Sequence, residues 1–260
     1  MRQGQAGINA AKVQHNFYIH KFFDKKNAKK MKFIDFERVL SPERMARYLK
    51  ACNGDSKKAM TLYRYNLRLS QEMFTIISCF EVALRNAIDQ NLSQHMGQDW
   101  LRDTIMPNGI FHNNPKCVET AKIIQKSYNK LIQTNAYTHS QLITEMKFGV
   151  WKYMFSQKQF QATGQTLLRV FPNKTKSTPQ LQINHTYIYN ELDNINKLRN
   201  RIAHHEPICF GINGQNIDTS YIQSKYWQLQ TLFQWMNIDS RALLYGIDHV
   251  QQLCDKIRHL

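Results

Sequence analysis

The chain has 260 residues, 42% of them hydrophobic and 21% charged, enough to bury a sizeable core and typical of a folded globular protein. Its formal net charge is +16, which points to a polyanionic partner, nucleic acid first. No apolar run approaches the ~20 residues of a membrane-spanning helix, and the N-terminus has neither an apolar core nor a small-residue cleavage site, which argues against secretion.

The charge is uneven. Residues 1–70 hold 16 Lys and Arg against 5 Asp and Glu, whereas residues 71–260 hold 19 against 14. No basic run is long enough to tether the chain to a membrane, and no membrane partner is expected. Cys52, Cys79, Cys117, Cys209 and Cys254 are scattered singly. That pattern fits neither a disulfide framework nor a structural zinc site and suits a reducing cytoplasm.

Residues 1–30 have weak hydrophobic periodicity and end in a basic cluster, while Met31 opens the ordinary-looking MKFIDFERVL. We read 1–30 as a basic N-terminal extension. Residues 31–260 form a single all-α domain, with 31–70 a basic helical N-terminal portion and 71–260 the core. His15 and His20 have no carboxylate at ligand spacing, and no metal site is expected there. Ser41 and Pro42 read as a helix N-cap and first helical position, and Met45 and Leu49 share a face. The CNGD turn at 52–55 places Asp55 as the cap of a helix through Ala59, Leu62 and Tyr63 to about Leu69. Ser70 caps a longer helix whose apolar face carries Phe74, Ile77, Val82, Leu84, Ile88 and Leu92.

MPNG at 106–109 and NNP at 113–115 mark a loop, followed by the amphipathic helix VETAKIIQKSYNKLI. The segment LITEMKFGVWKYMF at 142–155 is apolar around most of its circumference and should be central. PNKTKSTPQ at 172–180 is a linker. Residues 181–206 read as one long helix stopped by Pro207. CFGINGQN is a loop with a short extended hairpin. Thr219 or Ser220 caps a helix through Met236, and Asp239 or Ser240 caps the last one. The fold class is all-α, an irregular helical bundle.

In LRNRIAHHEP, residues 198–207, the stripe Leu192, Ile195, Leu198 and Ile202 faces the core. Asn200 and His204 lie one turn apart beside it, and Arg199 sits on its edge. An arginine suits a phosphate or pentacovalent phosphorane, through charge-assisted hydrogen bonds. A histidine suits proton transfer, and an amide can position a phosphate oxygen. Together they can catalyse attack of an RNA 2′-hydroxyl on its own phosphate with no metal and no cofactor. Arg–His spacing by itself is common; the asparagine and the place at the end of an amphipathic helix give it weight. His204 also reads more simply as a helix-terminal histidine, and His205, on another face, as a surface residue. Glu81 and Arg85 stand at helical ion-pair spacing, either a brace or support for the site. Tyr63, Tyr65, Phe148, Trp151, Tyr153 and Phe155 are base-stacking candidates or, more commonly at helical spacing, core.

LRNRIAHHEP resembles the R-N-x-x-x-H signature of the HEPN superfamily, and more narrowly the abortive-infection (Abi, AbiD/AbiF-like) proteins of bacterial phage resistance. AMTLYRYNLRLSQEMFTIISCFEVALRNAI, at 59–88, resembles that family's first core helix, and MKFGVWKYMF the helix between the two. The resemblance covers about residues 40 to 240 and not 1–30. It implies a HEPN-like helical core and metal-independent endoribonuclease activity. Arg199, Asn200 and His204 match the motif, and His205 is an extra histidine. Glu81, Arg85 and Asn86 match the charged element of the earlier helix, where Gln90 stands in place of a second motif histidine. One motif per chain implies a homodimer.

Three functions follow as alternatives: an RNA-cleaving toxin of antiviral defence; a non-catalytic scaffold holding a structured non-coding RNA; or a helical interaction protein of a defence complex. A bound regulatory RNA is compatible with the first. Lys197 and Arg201 beside the motif, with Arg44, Arg47, Lys57, Lys58 and Arg64 in the basic N-terminal portion, are the candidate RNA contacts.

Overall fold

The computed structural model describes residues 31–211 and 214–260. His15 and His20 and the extension at 1–30 lie outside them. The described chain divides into two compact units, one ending at Met60 and the other spanning Thr61–Leu260. Among the described residues there are twelve α-helices and no strand, so the chain is all-α.

In the first unit, helices α1 (Phe33–Leu40) and α2 (Pro42–Ala51) pack together. Ser41 caps α2 as expected. Its hydroxyl accepts the Arg44 amide at 3.3 Å, and Pro42, which has no N–H to satisfy, occupies the first turn. Asp55 likewise caps the next helix, accepting the Lys57 and Lys58 amides at 2.9 and 3.0 Å.

That next helix, α3 (Ser56–Met96), is unbroken over 41 residues, where the sequence suggested a break at Leu69–Ser70. It contains neither glycine nor proline, and its apolar positions keep phase through Leu69, Met73, Ile76, Phe80, Leu84, Ile88 and Leu92, all fully buried. Ser70 therefore continues the helix instead of capping a new one. Phe74 and Val82, expected on the buried face, are 38% and 44% exposed because they fall off this stripe.

The remaining helices are α4 (Trp100–Asp103), α5 (Val118–Gln133), α6 (His139–Glu145), α7 (Phe148–Tyr153), α8 (Gln157–Ala162), α9 (His185–Ala203), α10 (Ser220–Trp235), α11 (Ser240–Leu243) and α12 (Val250–Arg258). The apolar 142–155 segment is central as expected, with Phe148, Val150, Trp151, Met154 and Phe155 buried. It is split between α6 and α7 by extended backbone at Met146 and Lys147. The linker at 172–180 has no helix or strand. Among the described residues, the expected hairpin reduces to one antiparallel bridge between Phe210 and Ile217. The segment after Asp239 forms two helices, α11 and α12, where one was expected.

Helix α7 packs on α9, α9 on α10 and α10 on α12; α4, α5 and α6 pack among themselves. Helix α3 links these groups through its side chains. Phe80 meets Phe233 of α10 edge-on at 5.3 Å and Phe148 of α7 at 6.4 Å. The Asp89 carboxylate accepts the Trp100 indole N–H at 2.8 Å and pairs with His139 at 2.7 Å. Glu72 accepts the His249 amide at 3.0 Å. Buried Asn66 accepts the amides of Ile208 and Cys209 at 2.8 and 3.2 Å, which ties the strand-like segment after α9 to α3. Replacing Asn66 with Ala strands both buried donors, and we expect urea denaturation to report a loss of about 2–4 kcal/mol.

Candidate active site

The site grows from the end of α9. Asn184 starts this helix by accepting the Tyr187 amide at 3.0 Å, a few residues later than the sequence pattern suggested. Ile188, Leu192, Ile195, Leu198 and Ile202 are its buried face, so the apolar stripe holds. The helix ends at Ala203, ahead of Pro207. His205 takes a left-handed conformation, φ 57°. The His205 amide donates to the Ile202 carbonyl at 2.9 Å and the Glu206 amide to the Arg201 carbonyl at 2.9 Å. These two bonds form a Schellman closure with a histidine where glycine is usual. The doubled histidine thus divides by backbone role: His204 is the C-cap residue, and His205 turns the chain. Both side chains are exposed.

Arg199 is half-buried on the edge of the stripe. Its Nε is fully shielded from solvent and has no hydrogen-bond partner, and among the described residues Arg199 forms no direct ion pair. A guanidinium so placed is unusual, since buried polar groups are almost always bonded. Its electrostatic partner is Glu81 of α3. Burial pushes the Glu81 carboxyl above the usual glutamate value, against the pull of Arg199, the Phe148 amide and Arg85. Among the described residues, Glu81 thus acts on Arg199 through charge alone, without a direct contact. Arg85 donates to Asn86 at 3.3 Å and acts on Glu81 only electrostatically, without a close ion pair among the described residues.

Arg199 and Asn200 line a groove of about 960 Å³ between α9, α5 and the start of α7. Its rim carries the exposed lysines Lys126, Lys130 and Lys147, and its floor includes Phe148, Val150 and Tyr153. Glu145 pairs with Lys130 at 2.9 Å. The structure thus places Arg199 and Asn200 on the groove wall and Arg199 within electrostatic reach of Glu81, whereas His204, at the C-cap of α9, does not line the groove. The lysine rim was missed in the sequence reading, although Lys122, Lys126 and Lys130 recur one turn apart along α5.

Lys197 and Arg201, the expected contacts beside the motif, do not line this groove. Lys197 pairs with Asp193 at 2.8 Å, and Asp193 also holds the buried Lys152 at 2.7 Å. Burial opposes the charge of Lys152, but the Asp193 bond and neighbouring Tyr189 keep its ammonium above the usual lysine value. Arg201 is engaged by Glu206 at 3.2 Å, by the Pro207 carbonyl at 3.1 Å and by the Tyr221 ring at 5.2 Å. Arg44, Lys57 and Lys58 are exposed and Arg47 half-buried in the first unit, and Arg64 is exposed in the second. Of the aromatic set, Tyr63, Phe148, Trp151 and Phe155 are core, Tyr65 is half-buried and Tyr153 is 43% exposed.

Fold and groove together define an all-helical protein with a cationic groove along the helix that bears its Arg-Asn motif. The chain belongs to the family of Abi-like proteins, whose family model matches residues 13–209. The match reaches into the segment read above as an extension and stops at the Cys209 anchored by Asn66. No curated protein and no solved structure is significantly similar to the chain.

Two outcomes follow from this geometry. The folded-state pKa of Glu81 is raised, so folding favours its protonated form: that contribution is present below the ordinary value of 4.5 and is lost as pH rises through the folded value. Glu81→Gln should therefore leave Tm unchanged or raised at pH 7.5, with the difference vanishing in acid. His205→Gly removes left-handed strain, and its unfolding free energy should be unchanged or higher by up to about 1 kcal/mol.

Proposed function

We propose that the chain is a metal-independent, HEPN-type endoribonuclease acting in bacterial abortive-infection phage defence. The observation that carries this reading is Arg199: a half-buried guanidinium whose shielded Nε has no hydrogen-bond partner among the described residues, on the wall of a lysine-rimmed groove. Such a group is prepared for an external anion, and a phosphate satisfies it through paired N–H···O bonds. Membership of the Abi-like family supports the defence role.

In the reaction, His204 takes the proton of an RNA 2′-hydroxyl as that oxygen attacks the adjacent phosphorus. Arg199 holds the added negative charge of the phosphorane, with Asn200 orienting a non-bridging oxygen. The bond to the 5′-oxygen breaks, and an imidazolium returns a proton to that oxygen. The products are a 2′,3′-cyclic phosphate and a 5′-hydroxyl. One motif per chain makes the second histidine that of another copy, and the active form is a homodimer.

The test is cleavage of labelled RNA by the full chain in EDTA, comparing wild type with His204→Ala and Arg199→Ala. Each substitution should lower the rate by about 10²–10⁴-fold, the range of one acid–base or charge-stabilising group, while both variants keep the helical circular-dichroism signal. Cleavage that needs added Mg²⁺, or an undiminished rate in His204→Ala, contradicts the mechanism. Salt-sensitive RNA binding with no cleavage favours instead the non-catalytic scaffold for a structured RNA.

A further inference from the structure

We propose that the groove beside Arg199 is a subsite for single-stranded RNA, with Tyr153 as the platform on which a base next to the scissile phosphate stacks and Lys126 and Lys147 as its phosphate track. This rests on the nuclease reading for the position of the scissile phosphate, but the groove has evidence of its own.

Tyr153 is 43% exposed at the end of α7, and its exposed part lines the groove together with Ile123 and Val150. An apolar, aromatic surface inside a cationic rim suits an aromatic base linked to phosphates. The ring is held in place. The Lys152 ammonium sits 4.3 Å from its centroid and 5.2 Å from that of Tyr189, and the two tyrosine centroids are 5.9 Å apart. Lys152 is itself only 5% exposed and fixed by Asp193 at 2.7 Å. The platform is thus pre-organised, and stacking on it costs little side-chain entropy.

The rim is selective in its charge. Glu145 answers Lys130 at 2.9 Å, whereas Lys126 and Lys147 are exposed and form no ion pair among the described residues. These two lysines therefore remain to meet phosphates in the groove that Arg199 and Asn200 also line. Stacking needs a free base face, and in a duplex both faces are taken by neighbouring base pairs. The groove consequently discriminates by strandedness and tolerates any base.

The test measures binding of a fully 2′-O-methylated RNA oligonucleotide, which lacks the attacking hydroxyl, by fluorescence anisotropy with the full chain. A duplex of the same sequence is the comparison. Tyr153→Ala should weaken single-strand binding about tenfold and leave duplex binding unchanged, while Tyr153→Phe, which keeps the ring, should stay within about twofold of wild type. Lys147→Ala should reduce the slope of log affinity against log salt by roughly 0.7. Equal losses on single strand and duplex, wild-type affinity in Tyr153→Ala, or no binding by the wild type would overturn the subsite. Tight, Tyr153-dependent binding by a chain that cuts no RNA sinks the nuclease and leaves the subsite standing. Cleavage that ignores Tyr153 does the reverse.

Discussion

Helix α3 spans about 60 Å at 1.5 Å per residue, and the second unit hangs on the side chains spaced along it. Asn66 holds the segment after α9, Glu72 the start of α12, Phe80 the meeting of α7 with α10, and Asp89 both α4 and α6. Glu81 stands in the middle of this series and is the residue that faces Arg199. Continuity of the helix is what makes these partners a single frame. A break at Ser70 would separate Asn66 from Phe80 and Glu81, and with them the chain beyond the motif from the motif's own surroundings.

The site's character follows from where that frame puts one carboxyl. Burial holds the Glu81 carboxyl above the usual glutamate value against the pull of Arg199, and Arg199 adds its positive charge to the groove it lines. The lysines of α5 and the start of α7 extend that field along the groove wall, in the manner by which clefts of one sign concentrate an oppositely charged ligand. The turn made by His205 leaves the His204 side chain exposed at the end of the helix, while its backbone N–H still bonds the Asn200 carbonyl.

Local chemistry was the legible part of the sequence. Ser41 and Asp55 cap their helices as read, and the stripe from Leu192 to Ile202 is buried, because capping and periodicity act within one or two turns. Helix ends were less legible. Ser70 has a cap's chemistry but lies where the stripe keeps phase. Pro207 looked like the stop of α9, yet the left-handed His205 ends it earlier, a conformation rarely signalled by histidine. Arg199, Asn200 and Glu81 could be named from a motif, whereas the raised pKa of Glu81 and the lack of a close Glu81–Arg85 contact depend on burial and rotamer, which spacing does not encode. The groove is tertiary throughout. Its lysines come from α5 and the α6–α7 break, and only the recurrence of Lys122, Lys126 and Lys130 hinted at it.

In the proposed mechanism, Arg199 and His204 act on an RNA phosphate through the neighbouring 2′-hydroxyl. The chemistry of the product ends reads this directly. Mass spectrometry of fragments released by the wild-type chain should find 2′,3′-cyclic phosphates paired with 5′-hydroxyls, and a substrate with a single 2′-deoxy nucleotide at the cut should resist cleavage there. Fragments bearing 5′-phosphates and 3′-hydroxyls, or cleavage that proceeds through the deoxy position, would contradict it.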